Sequence, residues 1–345
     1  MSTSKKAEKS ATPVRKSENL PVAMRPKREG FVASADLGFD VSQNDNPTFV
    51  AKGLALSFLP YKPQFDAKGN FASHYIHKTQ QVELTMFAHP SVGVPYGPLA
   101  RLILAYLAEY AVKTHSRIIV LDDSISKMLE RFGMYNNSTN RKALRQQLNA
   151  ICKSSLLFTW SYERGRRTGE MGLSYPFVSR FNLWKENDKG RRSNKSPDDE
   201  PEEGAYLELS EYFFAQVQGA VPLDATSLVE LRNAMAIDIY AFFTYQTYGL
   251  RKAKFYDWEE LHQQFGQSYS RIRAFKPQFL KNVEIVLSKC DDFTLAESED
   301  GKGIWLIPEG CGMPEMLPAE TKSEPKKLAE SIKTAETDDL FELKP

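Results

Sequence analysis

Only three cysteines occur in the 345 residues, Cys152, Cys290 and Cys311, far apart and with no C-x-x-C pair. That excludes a disulfide scaffold and a four-cysteine zinc site, and it fits a reducing cytoplasm. Excess charge of one sign is missing too. Lys and Arg number 45 against 44 Asp and Glu, a net charge of +1. A nucleic acid partner must therefore be met by a local patch and not by the whole chain. No apolar run nears the roughly 18–20 residues of a membrane span; the longest, Leu102 to Ala108, ends at Glu109. The basic start of the chain has no apolar stretch behind it, so no secretory signal is expected. There is no G-x-x-x-x-G-K-[ST] phosphate loop, and hence no expected ATPase.

Candidates for other chemistry are sparse. His74 and His77 bracket Tyr75 and Ile76, but no cysteine or further histidine stands near, and a first-row metal wants three or four ligands. The pair reads as part of a half-exposed loop, with no metal. A rolling-circle nickase would need two histidines around one apolar residue, and the spacing here is longer by one. Asp122-Asp123 and Asp291-Asp292 are paired acids, but the first pair stands at a helix start, where capping accounts for it. No cofactor, no metal and no catalytic residue is expected, so the chain does not read as an enzyme.

What is present falls into segments. Residues 1–30 carry eight basic residues and three acids without periodicity, and 1–49 reads as a disordered basic arm. Residues 185–203 hold no apolar side chain and read as a linker or long loop. Residues 309–345 carry five basic and nine acidic residues and read as a flexible acidic tail. Two apolar-periodic blocks remain, 50–184 and 204–308. In the first, Val82, Leu84 and Met86 alternate as in a strand. Pro98 opens a helix to about Lys113, a short strand follows at Arg117 to Leu121, and Asp123 or Ser124 caps a short helix stopped by Gly133. A third helix runs from Asn137 or Ser138 to about Ser154. β-rich runs at Leu156–Tyr162 and Leu173–Trp184 are joined by a turn carrying Gly165, Gly169 and Gly172. The second block has a strand near Tyr206–Leu209 and helices near Ser227–Met235 and Ile237–Tyr248. A short helix then ends at Gly266, a longer one spans about Ser270–Lys289, and a hairpin surrounds Glu297 to Gly303. Short helix, turn, longer helix, β-hairpin thus occurs twice. The expected fold class is α+β, with two tandem winged-helix domains and flexible termini.

The longer helix of each block is the candidate recognition helix. Leu144, Leu148 and Ile151 form an apolar stripe on the first. Arg141, Lys142, Arg145, Gln146, Asn149 and Lys153 point away from it, and the helix has no acid. Arg forks onto guanine and Asn or Gln onto adenine, so such a face suits the major groove. Ser138, Thr139 and Asn140 offer hydroxyls and free N–H groups to a phosphate. Arg164, Arg166 and Arg167 come to the tip of the hairpin behind. From 138 to 184 there are eight basic residues and two acids. In the second block Arg271, Arg273, Lys276, Gln278, Lys281 and Asn282 lie off a stripe of Phe275, Phe279 and Val283. Pro277 interrupts it, so either the helix begins near Lys276 or it kinks. The aromatic run Tyr240, Phe242, Phe243, Tyr245 and Tyr248 reads mostly as core, with stacking on single-stranded bases as the alternative.

The run VELTMFAHPSVGVPYGPLARLILAYLAEYAVKT (82–114) resembles the plasmid-encoded RepA family of replication initiators, as do AMAIDIYAFFTYQTYGLRK (234–252), WEELHQQFG (258–266) and RIRAFKPQFLKNV (271–283). The likeness covers about residues 74–308, and its most specific parts are Pro95 to Gly97 and Ala236 to Tyr240. It implies an iteron-binding initiator of tandem winged helices in the cytoplasm. Such a protein binds directly repeated double-stranded sites at a plasmid origin, helps open an A+T-rich stretch and recruits host replication initiator and helicase, with self-dimers that repress its own gene. Thr337 to Phe341 is similar to peptides that dock in a sliding clamp, without the usual leading Gln. Two other readings stay open: a winged-helix transcriptional repressor with no initiator role, and a DNA nicking or priming enzyme.

Overall fold

The computed structural model describes residues 47–80, 82–121, 125–164, 167–183, 205–248 and 250–308. The linker, the acidic tail with its clamp-like peptide, the Asp122-Asp123 pair, Arg166 and all but the last three residues of the basic arm lie outside the described residues.

Pro47–Val50 forms strand β1, Lys52–Leu56 helix α1, His74–Lys78 strand β2 and Glu83–Ala88 strand β3. Helix α2 (Gly97–Thr114) follows, then β4 (Ile118–Val120), α3 (Ile125–Arg131), α4 (Ser138–Cys152), β5 (Ser154–Arg164), β6 (Arg167–Pro176) and β7 (Val178–Asn182). Next come β8 (Tyr206–Leu209), α5 (Glu211–Gln218), β9 (Val221–Asp224), α6 (Ala225–Leu231) and α7 (Ala234–Thr247). The described chain closes with β10 (Lys254–Asp257), α8 (Trp258–Phe265), α9 (Ile272–Leu287), β11 (Thr294–Glu297) and β12 (Gly303–Ile307). The strands pair antiparallel in the orders β2-β3-β5-β6, β4-β8-β7, β10-β12-β11 and β1-β9. Small antiparallel sheets set among helices make this an α+β fold.

The two sequence blocks interleave. Residues 47–49, read as part of the arm, belong to β1, which pairs with β9 in the second block. In return β8, from the second block, lies between β4 and β7. The strand at Tyr206–Leu209 was expected but its partners were not, and β1 and β9 leave no local signal, because pairing and not propensity makes them strands. The hairpin β5-β6 is longer than its glycines suggest. Its ladder runs unbroken to Arg164↔Arg167, so Gly169 and Gly172 lie inside a strand opposite Tyr162 and Thr159 and not in the turn. His74 and His77 likewise sit in β2, not in a loop.

Helices α2 and α7 form the centre. Both are apolar on nearly every side, as helices enclosed by other elements must be. Leu102, Ile103, Tyr106 and Leu107 of α2 are buried, as are Ile239, Tyr240 and Phe243 of α7. The turn into α2 needs its glycine: Gly97 has φ +73°, donates to the Pro60 carbonyl at 2.9 Å, and is followed by Pro98 in the first helical turn. Tyr96 N–H donates to the buried Gln147 of α4 at 2.9 Å.

A buried arginine of α2 and a buried aspartate of α7 meet at the centre. Arg101 Nε and Nη2 fork onto the two carboxylate oxygens of Asp238 at 2.7 and 2.6 Å, with both side chains about 5–6% exposed. The remaining donors reach the carbonyls of Leu59 (2.7 Å), Gly97 (2.9 Å) and Pro60 (3.4 Å). Every guanidinium nitrogen is thus satisfied, which is what makes a buried ion pair tolerable. Burial pushes the Asp238 carboxyl up to about 6, while the guanidinium beside it pulls the other way. The seam continues at α8. Gln264 donates to the Leu56 carbonyl at 2.7 Å, Tyr61 to the Phe265 carbonyl at 3.2 Å, and Tyr75 hydroxyl to Gln267. His77 Nδ1 accepts from Phe58 N–H at 3.0 Å and contacts Ser57 Oγ at 3.0 Å, so Nε2 carries the proton toward the Gln264 carbonyl at 3.1 Å. Burial holds the His77 ring down to about 4, hence neutral at pH 7. It is a satisfied core histidine.

Two outcomes follow for stability. Arg101→Met strands the Asp238 carboxylate and is expected to cost about 3–5 kcal/mol, whereas adding Asp238→Leu restores part of that loss; chemical denaturation of the two variants checks it, and equal stability of Arg101→Met and the wild type would contradict it. His77 contributes stability that is present above its unfolded value of roughly 6.5 and is lost as pH falls toward the folded value of about 4, because the unfolded ring takes the proton first. Asp238, with its folded value raised, acts in the opposite sense over the same window. A His77→Gln variant should therefore lose less stability than the wild type between pH 7 and pH 4.5; parallel denaturation profiles would refute this.

Candidate nucleic-acid interface

The first candidate surface is α4 and what surrounds it. Leu144, Leu148 and Ile151 are buried, together with Gln147, and they fix which face looks outward. The helix start is built by asparagines. Asn137 caps it, accepting from Asn140 N–H at 2.8 Å, and Asn140 Nδ2 donates to the Tyr135 carbonyl at 2.7 Å. Ser138, Thr139, Arg141 and Lys142 are exposed, and so is Lys153 at the far end. Arg145, Gln146, Asn140 and Asn149 are half-buried, and Asn149 Nδ2 is occupied by the Arg145 carbonyl at 2.9 Å. The most open donors therefore gather in the first turn of α4.

Arg141 is held by neutral partners. Its Nε donates to Asn136 Oδ1 at 2.6 Å and its Nη2 to Ser126 Oγ of α3 at 3.1 Å. Asn136 Nδ2 donates to the same hydroxyl at 2.9 Å. None of these carries a negative charge, so the guanidinium keeps its full field. Tyr135, beside Asn136, is 84% exposed. Ser126, Tyr135 and Asn136 were not picked out by sequence reasoning; the signal was a run of small and amide side chains before the helix, read only as a cap. Helix α3 is itself pinned to α2, since Arg131 pairs with the buried Glu109 at 2.7 Å and lies over the Tyr106 ring at 4.8 Å.

Behind α4, the backbones of Arg164 and Arg167 stand opposite each other at the end of the β5-β6 ladder. Of the basic residues counted between 138 and 184, Arg180 is neutralised by Glu208 at 3.0 Å.

The second surface is α9. Asp257 caps α8, accepting from Glu260 N–H at 2.7 Å, and Gly266 ends it. The helix α9 starts at Ile272, upstream of Pro277 and not at Lys276, and passes through the proline. Pro277 lacks the N–H that would meet the Arg273 carbonyl, and it lies on the exposed face where water can serve that oxygen instead. Phe275, Phe279, Val283 and Val286 are buried. Arg271, Arg273, Gln278 and Lys281 are exposed. Two residues of the expected face are turned elsewhere. Lys276 pairs with Glu297 at 2.8 Å, donates to the Gly301 carbonyl at 3.1 Å and lies 4.6 Å over the Trp258 ring, so it ties α9 to the β11-β12 hairpin. Asn282 is buried, with Nδ2 on the Gln278 carbonyl at 2.7 Å.

Of the aromatic run, Tyr240, Phe242 and Phe243 are buried, and Tyr245 and Tyr248 are half-buried. Among the described residues no three His, Cys, Asp or Glu side chains gather in a way that could hold a metal ion, and no helix is long and apolar enough to cross a membrane.

Residues 94–260 match the model of the family described as plasmid encoded RepA protein. Two crystal structures of domains 2 and 3 of RctB are similar to the chain: one at 12% identity and a TM-score of 0.46, covering 72% of this chain and 95% of that one, the other at 13% and 0.43, covering 71% and 95%. Scores at this level do not equate two folds. No curated protein matches the chain. The matched stretch, just under half of the chain, holds both the Pro95-Tyr96-Gly97 turn and the Asp238 carboxylate that Arg101 grips, and over it the chain is similar to the plasmid-encoded RepA family.

Proposed function

We propose that this protein initiates plasmid replication by binding directly repeated double-stranded sites, with α4 and α9 as recognition helices of two winged-helix units. The reading is supported by the order α3, turn, α4, hairpin β5-β6, and again α8, turn, α9, hairpin β11-β12. The observation that carries it is the first turn of α4: exposed basic and hydroxyl side chains, no acid in the helix, and an arginine whose partners among the described residues are uncharged. A surface salt-bridge helix would carry acids at i+3 or i+4 instead. In this proposal Arg141, Lys142 and the α9 arginines meet DNA, Ser138 and Thr139 hold a phosphate, and the Arg164–Arg167 hairpin acts as the wing. The mechanism is binding without covalent catalysis. Assembly on repeats strains the neighbouring A+T-rich duplex, and host initiator and helicase are recruited there. Sequence alone kept a nicking activity open; incubation with supercoiled origin DNA and magnesium, without strand breaks, separates binding from nicking.

Two measurements test the proposal. Footprinting on the DNA that flanks the gene should show protection of direct repeats of about two helical turns each, one for each unit; equal affinity for flanking and random duplexes would overturn it. The second concerns salt. Arg271 and Arg273 are exposed and carry no partner among the described residues, whereas Lys276 is engaged internally. Replacing both arginines with Ala should lower the slope of log affinity against log salt by about 2 with no change in melting temperature. Lys276→Ala should do the reverse, lowering the melting temperature and leaving the slope nearly intact.

A further inference from the structure

We infer that Ser126 and Asn136 are positioning residues that aim Arg141 at a base, so that the specificity of α4 depends on an uncharged clamp outside the helix. The inference rests on the proposed role of α4 and names how it reads its site. A guanidinium has five N–H donors in a rigid plane. Asn136 Oδ1 takes Nε at 2.6 Å and Ser126 Oγ takes one hydrogen of Nη2 at 3.1 Å, both along one edge of that plane. The edge shared by Nη1 and Nη2 keeps one outward hydrogen on each nitrogen, which is the fork that matches O6 and N7 of guanine. A third bond, from Asn136 Nδ2 to Ser126 Oγ at 2.9 Å, closes the clamp and fixes its two members to each other.

The clamp is built on backbone already held in place. Ser126 stands in α3, which Arg131 and Glu109 anchor to the central helix. Asn136 lies between Tyr135, whose carbonyl accepts from both Asn140 Nδ2 (2.7 Å) and Asn137 N–H (3.0 Å), and Asn137, the helix cap. A long exposed arginine normally loses much rotamer freedom when it binds. One already fixed by two bonds loses less, so the clamp raises both affinity and base preference. The neutrality of the clamp matters equally, because a carboxylate at either position would pair with the guanidinium and cancel the charge offered to DNA.

Asn136→Asp tests this directly, since it keeps the shape of the acceptor and adds a charge. The variant should stay folded, with a melting temperature equal to or above the wild type. Its affinity for the repeat should fall about tenfold or more, approaching that of Arg141→Ala, and its salt slope should drop by about 1. Ser126→Ala should flatten base preference at one position of the repeat, and Ser126→Thr, which restores the hydroxyl, should recover it. If Arg141→Ala weakens repeat binding but Asn136→Asp and Ser126→Ala do not, the clamp is refuted and α4 still reads DNA. If Arg141→Ala binds the repeat as well as the wild type, both the clamp and the role of Arg141 fall.

Discussion

A single buried ion pair sets the arrangement on which the rest depends. Arg101 and Asp238 come from the two central helices, one in each half of the sequence, and neither charge has water to fall back on. A bidentate guanidinium–carboxylate contact fixes distance and orientation together. The remaining donors of Arg101 bind the carbonyls of residues 59, 60 and 97 and so include the turn that starts α2. The neighbouring bonds from Tyr61, Tyr75, His77 and Gln264 run between the same two halves. A seam made of directional bonds resists rotation in a way that an apolar contact does not. The exchange of β8 and β1 between the halves adds to it. The two basic helices are therefore presented by one body and not by two independently swivelling modules.

This explains the residues that carry the family likeness. The Pro95-Tyr96-Gly97 turn is needed because Gly97 takes a left-handed φ and gives its carbonyl to Arg101, while Tyr96 is tied to α4 through Gln147. The Ala236 to Tyr240 segment places Asp238 against Arg101, and its Tyr240 hydroxyl accepts from Asp224 N–H at 3.0 Å, at the end of β9. The specific motifs are thus the two faces of the seam, and they say little directly about DNA. The surfaces that would meet DNA are α4 and α9.

The two longer helices were legible because an apolar stripe at i, i+4 and i+7 or i+8 has one interpretation when flanked by caps. Leu144, Leu148 and Ile151, and Phe275, Phe279 and Val283, are buried as their spacing indicates. The seam was not read, although it left a trace: an arginine in the apolar first half of one helix and a lone aspartate in another, opposite in sign and lacking any local partner. Such charges must find each other or be expelled. Strands β1 and β9 are too short to announce themselves, and β8, expected at Tyr206–Leu209, gave no hint that its partners are β4 and β7. Gly169 and Gly172 misled in the other direction, since glycine is tolerated in a strand as well as in a turn. Of the candidate site, the charged faces were readable, but which member is held internally was not. Lys276 looks like its neighbours until Trp258 and Glu297 are seen beneath it.

The most direct test of the central claim is to vary the spacing of the DNA. If the seam holds both helices in one body, inserting about 5 base pairs, half a helical turn, between the two protected halves of one repeat should abolish specific binding, and a full turn should not restore it. Undiminished affinity for the half-turn insertion would mean that the two halves turn freely about each other, and the account would be wrong.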